Sequence, residues 1–162
     1  MKKTINYIKE EKKYSTVYFL VGLPGAGKST WCHEKHPDLP VVSRDIIRAE
    51  LGYTASVDQK AKLEFWQENK VTDREHEQIK QYLKSGQDFI IDDTNLRLKY
   101  RKPMFILLRQ FHATIIGVNF KTPIELCIER RNGQIDAEII KKMASTMNSL
   151  EKSDVDKLIE VK

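Results

Sequence analysis

Long apolar stretches are missing from this chain. No run among its 162 residues is apolar enough to cross a bilayer as a helix, so no membrane partner is expected. The leading segment MKKTINYIKEEKKYST has no apolar h-region. It reads as a polar leader over about residues 1–15 rather than a secretory signal. Cysteine is scarce, with Cys32 and Cys127 far apart. That count does not support a disulfide framework, and two reduced thiols in a cytoplasmic protein are expected. Internal repeats and low-complexity tracts are absent as well. Nor does one sign of charge dominate: 28 Lys and Arg against 23 Asp and Glu leave a net +5. So mild an excess suits an anionic partner, but a nucleotide alone accounts for it. Of the residues, 40% are hydrophobic and 31% charged, which fits one globular domain over 1–162.

What is present is alternation. STVYFLVG is a short apolar run ending in glycine, the pattern of a buried strand. A helix is expected from Lys28 to before Pro37, then a short strand in PVVSRD and a helix in IIRAELG that stops at Gly52. Asp58 to about Lys84 reads as a long polar helix or helix pair, closed by Gly86. DFIIDDTN is a strand, about Lys99–Phe111 a helix and ATIIGVNF a strand. Pro123 opens a helix to about Arg130, RNGQID is a polar loop, and a helix follows over about Ala137–Leu150. DKLIEVK is a possible edge strand. Strands separated by helices imply parallel pairing with right-handed crossovers. The expected fold class is therefore α/β, a parallel sheet flanked by helices, and with GLPGAGKST after its first strand the chain resembles a P-loop NTPase, adenylate-kinase-like with a short lid at about 130–137. In such sheets ligands bind at the carboxyl ends of the strands. GLPGAGKST, SRDIIR, DDTN and KTP should meet there.

GLPGAGKS, residues 22–29, fits G-x-x-x-x-G-K-[ST] between a strand and a helix. Its glycines let backbone N–H groups close on phosphate oxygens, and the helix N-terminus adds partial positive charge. Gly22, Gly25, Ala26, Gly27, Lys28, Ser29 and Thr30 form the expected nucleotide-binding set, with Lys28 toward the β- and γ-phosphates and Ser29 on Mg²⁺. In SRDIIR, Asp45 and Arg48 share one helical face. Read blandly, they are a local ion pair. Placed beside the P-loop, Asp45 is able to take a proton from an attacking hydroxyl and Arg48 to hold an anionic group on the acceptor. At the tip of FIIDDTN, Asp93 and Thr94 are the better candidates for the metal corner because they lie past the strand, and Asp92 is assigned a structural role. RLKYRK places four basic residues in six and is expected to form an electropositive rim near that corner. In IERRNGQIDAEII, Arg130 and Arg131 sit where a small kinase carries its lid arginines.

Taken together, GLPGAGKSTW, SRDIIR, DDTNL and ERRNGQIDAEIIKKM resemble the kinase module of the phage-type 5′-polynucleotide kinases, over about Tyr18 to Met147. The P-loop is shared by many families. The R-D-x-x-R element followed by D-T-N-L is far more specific. The resemblance implies transfer of the ATP γ-phosphate, with Mg²⁺, to the 5′-hydroxyl end of DNA or RNA. It implies that Lys28 and Ser29 handle triphosphate and metal, that Asp45 is the general base, and that Arg48 binds a phosphate of the acceptor strand. Asp93, Thr94 and Asn95 would shape the acceptor and metal corner, and Arg130 or Arg131 would clamp the donor phosphates. Two departures stand out. The lid arginines are adjacent instead of spaced, with Gln134 and Asp136 where the family tends to carry a base and a proline. DDTN also lacks the aspartate spacing of the 3′-phosphatase that often accompanies the module, so kinase activity alone is expected. The competing expectations are a P-loop kinase for a small hydroxyl acceptor (nucleoside, sugar or antibiotic) and a nucleotide-driven switch module.

Overall fold

Parallel pairing organises the molecule. The computed structural model of the chain describes Glu11 and residues 13–53 and 63–162. In chain order the elements are β1 (Thr16–Val21), α1 (Lys28–Lys35), β2 (Val41–Val42), α2 (Arg44–Glu50), α3 (Phe65–Ser85), β3 (Phe89–Ile91), α4 (Leu98–Gln110), β4 (Thr114–Phe120), α5 (Ile124–Arg131), α6 (Ala137–Ser145) and β5 (Lys157–Val161), with a 3₁₀ turn at Lys152–Asp154. The sheet runs β2-β3-β1-β4-β5, and every neighbouring pair is parallel. The expected parallel α/β sheet is thus the observed one. Residues 1–10, 12 and 54–62 lie outside the described residues, and with them most of the expected polar leader.

β1 has the apolar character of a strand covered on both faces. Val17, Phe19 and Val21 pack toward α3 and α4, against Val71, Ile79, Leu83, Phe105 and Leu108. Leu20 belongs to the opposite layer, with Trp31 and Cys32 of α1, Cys127 of α5 and Ile140 of α6. Phe19 is fully buried, its ring 4.8 Å from that of Phe105. Each such fully buried side chain contributes about 1.5–3 kcal/mol of transfer free energy. Both cysteines are free and buried in the second layer. Burial pushes the Cys32 thiol up to about 12. Among the described residues, no helix is long and apolar enough to cross a membrane.

Two boundaries differ from the sequence expectation. α3 starts at Phe65, where Glu64 and Gln67 close a capping box, and it is one helix of 21 residues ending at Gly86 (φ +69°). The expected start at Asp58 lies outside the described residues. α6 stops at Ser145, short of the expected Leu150. The cause is long-range. Arg101, fully buried in α4, donates to the carbonyls of Leu96, Asn148 and Ser149, while the Asn148 side chain accepts from the Leu98 N–H. The segment after α6 is held open so that Leu150 packs over Gly117 of β4, where an added Cβ would stand 2.8 Å from the leucine side chain.

Candidate active site

The donor side of the site is built from backbone. Gly25 and Gly27 adopt φ of +82° and +98°, which glycine alone reaches without strain, and Gly27 caps α1 by accepting the Trp31 N–H at 3.0 Å. The loop leans on α5 so closely that a Cβ on Gly25 would lie 2.5 Å from the Cys127 carbonyl oxygen. Lys28 Nζ donates to the carbonyls of Gly22 (3.0 Å) and Leu23 (2.9 Å). Burial pushes its amine below the usual lysine range, against the pull of Asp92, and Arg131 adds to the lowering.

The tip of β3 corrects one expectation. The carboxylate that meets the P-loop is that of Asp92, whose Oδ2 accepts from the Ser29 hydroxyl at 3.1 Å. Burial raises the Asp92 pKa, while Lys28 and the Ser29 hydroxyl hold it down. Asp93, expected on the metal, faces the other way: its Oδ1 accepts the Arg44 N–H at 2.8 Å, and burial, followed by the neighbouring Glu75 carboxylate, raises its pKa well above the usual range. The reason is the pleat, since successive residues at a strand end point to opposite faces. Thr94 and Asn95 both line the cleft. The Thr94 carbonyl accepts the Gly22 N–H at 3.1 Å. The Asn95 amide donates to the Leu20 carbonyl at 2.8 Å, from a left-handed backbone at φ +49°. The amide expected to meet an acceptor therefore fastens the corner to β1.

On the acceptor side, α2 presents Asp45 and Arg48 as the sequence suggests. Arg48 Nη1 donates to Asp45 Oδ1 at 2.7 Å, and the Asp45 side chain is 91% exposed. Glu68 of α3, which sequence reading did not single out, takes the rest of the Arg48 fork: Nε to Oε1 at 3.0 Å and Nη2 to Oε2 at 3.1 Å. Arg44 was likewise missed. It donates to Glu68 (2.8 Å), Thr72 (3.0 Å) and the buried Glu75 (2.8 Å), pinning α2 to α3. Burial opposes the Arg48 charge, but Glu68 and Asp45 together raise its pKa. Hydrogen bonding from Arg48, against burial, lowers that of Glu68. The available signal was the spacing of Glu68, Thr72 and Glu75, which puts three polar groups on one face of an otherwise apolar-backed helix.

The lid is smaller than expected. Arg130 and Arg131 are the last helical residues of α5, and Asn132 (φ +44°) and Gly133 (φ +76°) turn the chain at once. Arg130 Nη1 donates to the Gly25 carbonyl at 3.3 Å. Arg131 lies within electrostatic reach of Lys28 and Asp92. The expected basic rim is also thinned: Arg101 is fully buried on backbone carbonyls, leaving Arg97 and Lys99 of that stretch on the cleft.

These residues enclose one cleft of about 1900 Å³ that holds Ser29, Asp45, Arg48, Asp92, Thr94 and Arg131 and extends to Thr122 and Lys162. Its donor set fits a triphosphate with a divalent cation: inward backbone, a half-buried lysine, a hydroxyl and a carboxylate. Among the described residues no three His, Cys, Asp or Glu side chains could hold a metal. A cation there would take Ser29 and Asp92 from the protein.

A family model described as an AAA domain matches residues 17–150. The L-seryl-tRNA(Sec) kinase of Methanococcus maripaludis is 28% identical over 137 residues, which cover 76% of this chain and 49% of that protein. Among solved structures, the Pnkp1/Rnl/Hen1 complex matches with 25% identity and a TM-score of 0.62, over 75% of this chain and 40% of that one. An unliganded sugar kinase from Janibacter sp. HTCC2649 matches in fold, with 17% identity and a TM-score of 0.65, over 91% of this chain and 84% of that one. The chain spans about half or less of the length of the first two. The match over 17–150 takes in most of the chain, which belongs to this AAA-domain family.

Proposed function

We propose that the protein transfers the γ-phosphate of ATP to the 5′-hydroxyl end of DNA or RNA. One observation carries the reading: an exposed carboxylate, Asp45, is paired at 2.7 Å with an arginine, Arg48, inside the cleft that also holds Lys28 and Asp92. A general base and an anion clamp side by side suit an acceptor with a phosphate behind its hydroxyl. The likeness to the Pnkp1/Rnl/Hen1 RNA repair complex, at 22% identity over 91% of this chain, agrees in fold.

Lys28 and the P-loop N–H groups hold the donor phosphates, and Arg131 meets the charge that develops as the phosphoryl group moves. Arg130 braces Gly25 instead. Ser29 and Asp92 would hold Mg²⁺, which when bound would neutralise charge at the phosphates. The acceptor oxygen bonds to the γ-phosphorus as the bond to the β–γ bridging oxygen breaks, ADP departs with that electron pair, and the acceptor proton passes to Asp45. Arg44, Glu68 and Glu75 hold α2 so that Asp45 and Arg48 keep their places. The kinship with a seryl-tRNA kinase favours a second reading, in which the hydroxyl is carried on an RNA at a group other than its 5′ end.

The test is label transfer from γ-labelled ATP to a 5′-OH oligonucleotide, its 5′-phosphorylated twin, seryl-tRNA, and a panel of nucleosides, sugars and hydroxyl-bearing antibiotics. Label on the 5′-OH oligonucleotide alone is expected. Label confined to seryl-tRNA establishes the second reading, and label confined to small molecules overturns both.

A further inference from the structure

We propose that Tyr53, Phe65 and Trp66, with Lys70, form a stacking platform for the nucleotides that follow the phosphorylated end of a single-stranded acceptor. The inference rests on the polynucleotide reading above and assigns it a subsite. Phe65 is 82% exposed and Trp66 54%, although α3 makes its core contacts with Val71, Ile79 and Leu83. The Trp66 ring stands edge-on to Tyr53 at 6.0 Å, and the Lys70 ammonium lies 5.2 Å from its centre. Exposed aromatic faces next to a cation are the chemistry of sequence-tolerant single-strand binding, because every base has a π-face and every link a negative charge.

The platform is continuous with the anion clamp. The Tyr53 N–H donates to the Arg48 carbonyl at 2.7 Å, and Glu68, two residues beyond Trp66, holds the Arg48 guanidinium. Asp45 and Arg48 lie three residues apart on α2, about 4.5 Å of helix rise, and the 38%-exposed Leu51 follows three residues on as the residue that caps its C-terminal end. Hydroxyl at Asp45, first phosphate at Arg48 and following bases on the aromatic group is the order this row permits. A small acceptor would end before reaching it.

The experiment compares a nucleoside 3′-phosphate, a 5′-OH tetranucleotide and a tetranucleotide abasic beyond its first residue as acceptors. The parent enzyme is expected to gain roughly tenfold in kcat/KM from mononucleotide to tetranucleotide, through KM, from base–aromatic stacking. Trp66→Ala and Phe65→Ala should lose that gain and keep the mononucleotide rate, Trp66→Phe should retain most of it, and the abasic acceptor should behave like the mononucleotide. Melting curves keep the variants comparable, and Phe65 is too exposed for its removal to unfold the domain. A gain that survives both alanine variants, or no gain in the parent, overturns the platform. Trp66 fluorescence supplies a readout separate from catalysis, since Trp31 is only 8% exposed. Failure of a tetranucleotide to quench it overturns the platform, whereas quenching without any transfer supports the platform and removes the 5′-kinase reading.

Discussion

On the donor side of the cleft, Lys28 is half-buried and answers to carbonyls five and six residues away in its own loop. On the acceptor side, Asp45 is almost wholly exposed, and its partner Arg48 answers to Glu68, 20 residues away on another helix. The donor side is local backbone geometry dictated by glycines. The acceptor side is a lattice of charged side chains drawn from two helices. The difference shows how the two sides are to be broken. A donor site of this kind fails when the backbone is forced to move, an acceptor site when one charge in the lattice loses its partner.

The largest expected effect falls where the two sides meet. Asp45→Asn keeps a hydrogen-bond acceptor for Arg48 but removes the base, and should lower kcat by about 10²–10⁴-fold. ATP affinity, read by calorimetry, should be unchanged. Near-parental turnover would take the base assignment away from Asp45. Next come the paired arginines of α5. Arg131→Ala should cost on the order of 10³ in kcat. Arg130→Ala, which removes only a brace on Gly25, should cost less than about tenfold. Equal losses would erase the distinction drawn between them.

Glu68→Gln sharpens the contrast from the acceptor side. It leaves Arg44 and Arg48 with a neutral partner and should raise the acceptor KM roughly tenfold, with the ATP KM unchanged. The smallest effect is on stability. Asp93 holds its proton to higher pH in the fold than in the unfolded chain, because burial and Glu75 disfavour its charge. The folded state therefore binds more protons between the two pKa values, and stability falls as pH rises through that window. Asp93→Asn removes this cost. The variant should melt higher than the parent at neutral pH, and the difference should vanish in acid below the ordinary carboxylate range. A difference that does not change with pH would mean that Asp93 is ionised in the fold.

The same contrast explains what could be read from the residues alone. β1, the P-loop and α1 were legible because glycine spacing and an apolar run act over a few residues. Asp45 and Arg48 were legible because three-residue spacing puts them on one face. The choice between Asp92 and Asp93 was not, because it turns on the last pleat of β3 and on which side α2 and α3 dock. Glu68 and Glu75 were hidden inside a helix that reads as merely polar. Arg101 looked like a surface cation, and only the chain after α6, 47 residues away, takes it into the core.

β2 and β3 are immediate neighbours in the sheet, and Arg44, Asp45, Arg48, Glu68 and Glu75 all belong to the single crossover that joins them. On the function proposed above, acceptor choice would rest largely on this one crossover. Exchanging residues 43–88 for the matching crossover of another P-loop kinase replaces the acceptor wall as a unit and leaves the P-loop and the α5 arginines as they are.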